Sequence, residues 1–137
     1  MKRLIYVFLA IGLFMTGSSA ECLTGNGDPL KYISSCELDF NNDGQPDIAL
    51  LVETLLGRQL IVLMKTEKGY NAFIVSQGKE RMHLSCRFGK TISESKTITN
   101  AKVYKTPGTY IELIEPEVSS TAYFWNGSGF TEVCTGD

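Results

Sequence analysis

The chain has 137 residues, of which 43% are hydrophobic, and 15 Asp and Glu against 13 Lys and Arg give a net charge of −2. One domain of ordinary size fits this length, whereas a complete β-propeller built from several four-stranded blades does not. The basic residues are scattered singly along the sequence, so the chain lacks the basic face with which proteins bind nucleic-acid phosphates.

The first 20 residues have the pattern of a secretory signal peptide. Lys2 and Arg3 precede an apolar run over residues 4–15, and small residues follow up to Ala20. The apolar run is shorter than the roughly 20 residues that a membrane-spanning helix needs. We therefore expect cleavage after Ala20.

Residues 21–137 are expected to form a single β-rich domain that is periplasmic or secreted. Glu21 stands directly before Cys22, where a lipoprotein signal would have a small residue, so we expect no membrane anchor after cleavage. Cleavage lowers the count of Lys and Arg from 13 to 11 against 15 Asp and Glu, which leaves a net charge of about −4. A soluble, monomeric protein is expected.

An even number of cysteines in an exported chain predicts disulfides. The four are Cys22, Cys36, Cys86 and Cys134. Three pairings are open and the spacing does not decide among them; we favour Cys22 with Cys36, which would tie down the N-terminal arm, and Cys86 with Cys134. The sequence has no C-x-x-C spacing, which argues against a zinc site.

A short helix is the first element predicted after the signal. Residues 24–29 are rich in turn formers, and Asp28 is placed to cap a helix over 29–34. Nearly continuous apolar runs over 48–53 and 60–65 then predict two strands that are covered on both faces or central in a sheet, with a chain reversal at 55–58.

The rest of the chain predicts further strands joined by turns. Residues 67–69 lead into a strand over 70–76, which completes a meander, and alternation over 82–88 predicts another half-buried strand. Residues 91–96 are expected to form a loop. The last third predicts two hairpins, with strands over 97–105, 110–114, 121–125 and 130–134 and turns at 106–108 and 126–129.

Together these elements predict a mainly β fold, or β-rich α+β. It has seven to nine antiparallel strands in a meander and hairpins around a central sheet, one short N-terminal helix and two disulfides.

Residues 39–47, Asp-Phe-Asn-Asn-Asp-Gly-Gln-Pro-Asp, carry oxygen donors at alternate positions. The donors at positions 1, 3, 5, 7 and 9 are Asp39, Asn41, Asp43, the backbone carbonyl of Gln45, and Asp47. Gly44 occupies position 6, where such loops turn sharply. Oxygen ligands at this spacing suit calcium. The alternative is an acidic turn between strands that binds no metal.

An ordinary EF-hand is excluded because position 12 is Leu50 instead of Glu and the run that follows is apolar. The segment 38–52 resembles the calcium-binding loop of FG-GAP or VCBS-type repeats, D-x-[DN]-x-D-G-x-x-D, found in integrin alpha-subunit propellers and many exported bacterial proteins. The resemblance implies that Asp39, Asn41, Asp43 and Asp47 ligate calcium through side chains and Gln45 through its carbonyl.

The closing residues 123–133 are similar to the last hairpin of small exported bacterial proteins with one such loop. That similarity would extend the resemblance across most of the mature chain.

An enzyme is not expected. The single histidine, His83, lies in the alternating stretch and fits a solvated or structural role better than a catalytic one. Paired carboxylates could act on a glycoside, but no spacing selects among the candidates by residue type, which are Glu53, Glu112, Glu115 and Glu117. A hydrolase stays the minor alternative, to be revived by a buried His83 beside a carboxylate.

The expected function is that of an exported, non-enzymatic calcium-binding domain with a binding role. A secreted inhibitor or immunity-type protein that binds another exported enzyme is the second reading, with a protein partner in the cell envelope. Aromatic residues could form a binding platform, but in consecutive strands they more often build core; they are Tyr110, Tyr123, Phe124, Trp125 and Phe130. Asn126-Gly127-Ser128 fits a glycosylation sequon and is expected to be a turn.

Overall fold

The computed structural model describes residues 22–23, 29–78 and 81–136, and every regular element in these ranges is a β-strand. The strands are β1 (Cys22–Leu23), β2 (Pro29–Leu38), β3 (Asp47–Thr54), β4 (Gly57–Thr66), β5 (Gly69–Gly78), β6 (His83–Ser93), β7 (Val103–Glu115), β8 (Ser119–Trp125) and β9 (Phe130–Gly136). None of the described segments is a helix with the length and apolarity that a bilayer crossing demands.

The strands form two antiparallel sheets that follow the order of the chain. The first sheet has the order β1-β2-β3-β4-β5, and the second has the order β6-β7-β8-β9. Each strand therefore pairs with its neighbour in sequence, as in a meander. The mainly β, antiparallel fold is confirmed, although two sheets replace the single central sheet that was predicted.

Residues from both sheets build the main core. Leu51 and Val62 of the first sheet belong to one buried cluster with Ile111 and Tyr123 of the second. Phe40, which lies just after β2, is only 1% exposed and belongs to the same cluster. The two sheets are thus held face to face by apolar burial, which favours folding by about 25 cal/mol per Å².

The outer face of the first sheet is apolar as well. Leu50, Val52, Ile61 and Leu63 form a second buried cluster, with side chains that alternate with those of the main core along β3 and β4. Burial on both faces explains the continuous apolar runs in these two strands. The predicted strands over 48–53 and 60–65 are confirmed.

One disulfide joins the two sheets. Cys36 in β2 is bonded to Cys86 in β6, across 50 residues of sequence. The pairing favoured from the sequence is therefore wrong, because the packing of the sheets brings β2 beside β6 and no local spacing encodes that contact. Cys134 has a free, exposed thiol, whereas the side chain of Cys22 lies outside the described residues, as does the predicted signal peptide.

The helix predicted over 29–34 is wrong, because Pro29–Leu38 is a strand. Its residues pair with β3 from Lys31↔Glu53 to Leu38↔Asp47, with a bulge between Tyr32 and Ser34. An isolated helix of six residues is marginal in water, whereas the edge of β3 offers backbone partners and a core for Ile33. Asp28, the predicted cap, lies outside the described residues.

The turn predicted at 106–108 is also wrong, because β7 runs through it from Val103 to Glu115. The pairing of β6 with β7 shifts between Gly89 and Thr91, and the Thr106 hydroxyl donates to the Gly89 carbonyl. A bulge of this kind accommodates an interrupted ladder. The chain reverses instead between the end of β6 at Ser93 and the start of β7 at Val103. The loop predicted at 91–96 and the strand predicted at 97–105 therefore have the wrong boundaries.

The structure has hairpin turns close to the three other predicted positions, at 55–58, 67–69 and 126–129. Thr54 pairs with Gly57 around the first reversal, Thr66 pairs with Gly69 around the second, and Trp125 pairs with Phe130 around 126–129. Tyr123 and Phe124 are buried, so the prediction that these aromatic residues build core is confirmed.

Candidate functional site

The loop 39–46 connects β2 to β3 and is fixed to the core at its start. Phe40 is buried between the sheets, and the Thr109 hydroxyl of β7 donates a hydrogen bond of 2.6 Å to the backbone carbonyl of Asp39. Asn42 and Gly44 have φ of 60° and 85°, the left-handed values that let the chain turn twice within a few residues. The loop therefore belongs to the first sheet but is also bonded to the second.

Side-chain oxygens turn inward and accept backbone N–H groups of the same loop. The Asp39 carboxylate accepts from the N–H groups of Asp43 at 3.1 Å and of Gly44 at 2.7 Å. Asn41 accepts from the Asp43 N–H at 3.1 Å, and Asp43 accepts from the Gln45 N–H at 2.8 Å. Asx-type bonds of this kind define the loop conformation.

Asp47 occupies a different position from the other three side chains because it is fully buried, at 0% exposure. One of its oxygens accepts the Phe40 N–H at 2.9 Å, and the other accepts the Lys65 N–H of β4 at 2.7 Å. The carboxylate thus bridges both ends of the loop and the adjacent strand. Two hydrogen bonds to an ionised acceptor are each stronger than neutral ones.

Burial raises the pKa of the Asp47 carboxyl, and the charges of Asp43 and Asp39 act in the same direction, while the N–H bonds from Lys65 and Phe40 oppose the rise. An acid with a higher pKa in the folded than in the unfolded state binds more protons when folded, between the two pKa values. Stability from this group is therefore lost as pH rises through that interval. At neutral pH the buried charge is a cost that a nearby cation would offset.

The donor set is compatible with calcium in its chemistry. All five sequence-predicted ligands lie on one nine-residue segment, and all offer oxygen, the ligand that calcium prefers. A carboxylate oxygen that accepts one N–H keeps a further lone pair. Within the described residues, however, no three His, Cys, Asp or Glu side chains are grouped as a metal site. Asp39, Asn41 and Asp43 are brought together, whereas Asp47 is turned into the core.

Two contacts of this site were not anticipated from the sequence. The Phe40 side chain anchors the loop to the core, and the Thr109 hydroxyl anchors it to the second sheet. An apolar residue between two candidate ligands is a weak sign that position 2 faces a core. Nothing in the sequence marks Thr109, which is 70 residues from Asp39.

Two of the catalytic candidates, His83 and Glu117, line one cavity, whereas Glu53 and Glu112 form ion pairs elsewhere. Glu112 is paired with Arg87 at 3.0 Å, and Glu53 is paired with Lys31 at 3.6 Å. His83 is exposed and lines an open cavity with Arg58, Arg81, Pro116 and Glu117. This cavity lining contains no Ser, Thr or Cys that could act as a nucleophile.

Neither a family model, nor a curated protein, nor a solved structure matches the chain.

Proposed function

We propose that the protein is an exported, non-enzymatic β domain in which the loop 39–47 binds one calcium ion. Asp39, Asn41 and Asp43 would hold the ion with the Gln45 carbonyl, and Asp47 would share an oxygen that already accepts an N–H. The ion would neutralise clustered carboxylates and tie the loop to its base. Its role would be structural.

The observation that carries this proposal is the conformation of the loop, which brings the side chains of Asp39, Asn41 and Asp43 together around the backbone N–H groups of residues 43–45. Burial is the main cause that raises the pKa of the Asp47 carboxyl, and the charges of Asp43 and Asp39 add to the rise by repulsion. A divalent cation relieves such repulsion and draws on ligands that are already ordered. Because Phe40 and Thr109 anchor the loop, little conformational entropy would be lost on binding.

We expect calcium to raise the melting temperature of the exported protein by about 6 to 11 °C. Extracellular sites bind calcium with dissociation constants of about 10⁻⁴ to 10⁻³ M, so 10 mM calcium, about 10 to 100 times these values, stabilises by about 1.4 to 2.7 kcal/mol. About 4 °C per kcal/mol converts this gain to a temperature shift. The measurement compares thermal unfolding in calcium and in chelator.

The Asp43→Ala variant is expected to melt at the same temperature in calcium and in chelator. Glu67→Ala provides the matched control, because Glu67 is an exposed acid in the β4–β5 turn, outside the loop. It should keep the full calcium shift. Equal melting curves of the unmodified protein with and without calcium would refute the site, and the loop would then be a turn held by its own N–H bonds.

We also propose a protein partner in the cell envelope, in keeping with an inhibitor or immunity-type role. Leu55 and Leu56, at the tip of the β3–β4 turn, are 72% and 74% exposed. Adjacent exposed leucines are apolar contacts that a partner could bury.

The partner should be retained from envelope extract by the unmodified protein and lost with Leu55→Ser/Leu56→Ser. Because the two leucines are exposed in a turn, the variant should melt within about 2 °C of the original. Lys68→Ser in the next turn is the control and should retain the partner. Equal retention of a stoichiometric protein by both variants would exclude this tip as the contact.

A further inference from the structure

An open cavity of about 320 Å³ lies at the end of the domain where β4 and β6 begin and β7 turns into β8. The described residues that line it are Arg58, Arg81, His83, Pro116 and Glu117. Neither the calcium loop nor the core includes any of them. Three of the five carry nitrogen donors, although the protein as a whole has a negative net charge.

The guanidinium of Arg58 is held in place by the backbone. Its Nη1 donates to the Met82 carbonyl at 2.6 Å, which fixes the plane of the group next to the cavity. Its Nε–H is buried and has no hydrogen-bond partner. A buried donor without an acceptor is unusual in a folded protein and calls for an explanation, such as an ion or a ligand that completes it.

The cavity gathers charge from three separate parts of the chain. Arg58 comes from the first sheet, Arg81 and His83 come from the start of the second sheet, and Glu117 comes from the β7–β8 turn. Glu117 has a left-handed φ of 64°. Among the described residues of the lining, two guanidinium groups and an imidazole stand against one carboxylate. Arginine is the residue that proteins use most for carboxylate and phosphate recognition, because its N–H groups form a planar fork.

We propose that this cavity binds a small oxyanion, the carboxylate, phosphate or sulfate group of a small molecule. Arg58 would supply a fixed positive charge and Arg81 a second, exposed one, while His83 would add a donor from the adjacent strand position. Glu117 would oppose the anion and limit its affinity. The Arg58 Nε–H has no acceptor in the protein, so this guanidinium keeps hydrogen-bonding capacity and positive charge that an anion in the cavity would offset.

The test is a titration of the exported protein with sodium phosphate, sodium sulfate and sodium acetate in calcium-free buffer at constant ionic strength, followed by the amide and side-chain NMR signals of residues 81–83 and 116–118. Sodium chloride is the reference for screening. Saturable shifts are expected with at least one oxyanion. Tighter binding of phosphate or sulfate would indicate a ligand with a tetrahedral oxyanion, and tighter binding of acetate would indicate a planar carboxylate. The affinities of phosphate and sulfate are then compared directly.

Arg81→Gln should weaken that binding at least fivefold, and Glu117→Gln should strengthen it at least twofold. The control is Arg87→Gln, because Arg87 lies on the same strand as His83 but is paired with Glu112, and this variant should bind as the original does. Arg81 and Glu117 are both exposed, so the two variants should keep the fold, which the spectrum itself reports. Absence of saturable shifts, equal shifts with chloride, or unchanged binding by Arg81→Gln would overturn the proposal.

Discussion

Replacement of Cys36 and Cys86 together by Ala is expected to lower the free energy of unfolding by about 4 kcal/mol. Their disulfide closes a loop of 50 residues, and the loss of loop-closure entropy in the unfolded chain grows with the logarithm of that length. Apart from the backbone, it is the one covalent link among the described residues between β2 and β6, which belong to different sheets. Without it, the sheets are held together by the backbone, by apolar packing and by hydrogen bonds such as that from Thr109 to Asp39.

Urea denaturation of the double variant and of the original protein measures this difference. Cys134→Ser is the matched control, because Cys134 has a free, exposed thiol, and it should unfold at the same urea concentration as the original. Reductant should shift the original toward the variant and leave the variant where it is. A loss of less than about 1 kcal/mol would mean that the disulfide is not a main source of stability.

Asp47→Ala is expected to destabilise the protein by roughly 2 to 4 kcal/mol, even in chelator. The substitution removes the acceptor of the buried Phe40 N–H and of the partly buried Lys65 N–H, and each unsatisfied buried group costs about 1 to 3 kcal/mol. Removal of the carboxylate offsets part of this loss of stability, because the charged group is unfavourable in its buried position, as the raised pKa of the Asp47 carboxyl indicates. The stability of Asp47→Asn should lie between those of the original protein and of Asp47→Ala, because the amide keeps one acceptor oxygen.

Asp43→Ala separates this structural effect from metal binding. Asp43 is exposed, so in chelator its removal should cost less than about 1 kcal/mol, whereas in calcium it should abolish the gain from the ion. The free energies come from urea unfolding of each variant in both buffers. A smaller loss of unfolding free energy for Asp47→Ala than for Asp43→Ala in chelator would contradict this inference. The hydrogen bonds from Phe40 and Lys65 to Asp47 would then not stabilise the loop.

The strands with the strongest apolar patterns could be predicted from the sequence. In β3 and β4, residues 48–52 and 60–64 face a core on both sides, so nearly every position is apolar and the pattern needs no tertiary information. The turn chemistry at Gly69 and at 126–129 is local as well, and it places two hairpins correctly. For these elements, local preference and global packing agree.

The remaining features depend on contacts between distant parts of the chain. The residues of β2 have a local signal for a capped helix, but pairing with β3 overrides it. The Cys36–Cys86 bond requires that β2 and β6 be neighbours, which no spacing encodes. In the loop, the ligand pattern was readable, whereas the bond from Thr109 was not, and Asp47 proved to be a buried bridge between the loop and β4 as well as a candidate ligand.

The strict sequential order of both sheets has a consequence for how the protein reaches its folded state. Every strand pair joins neighbours in the chain, so the pairings close short loops, which favours rapid formation. If the chain is exported as we propose, with its N-terminus first, the ladders of β1 to β5 can form before β6 emerges. Cys36 would then remain a free thiol until Cys86 has emerged. Formation of the Cys36–Cys86 bond would then accompany the docking of the second sheet on the first.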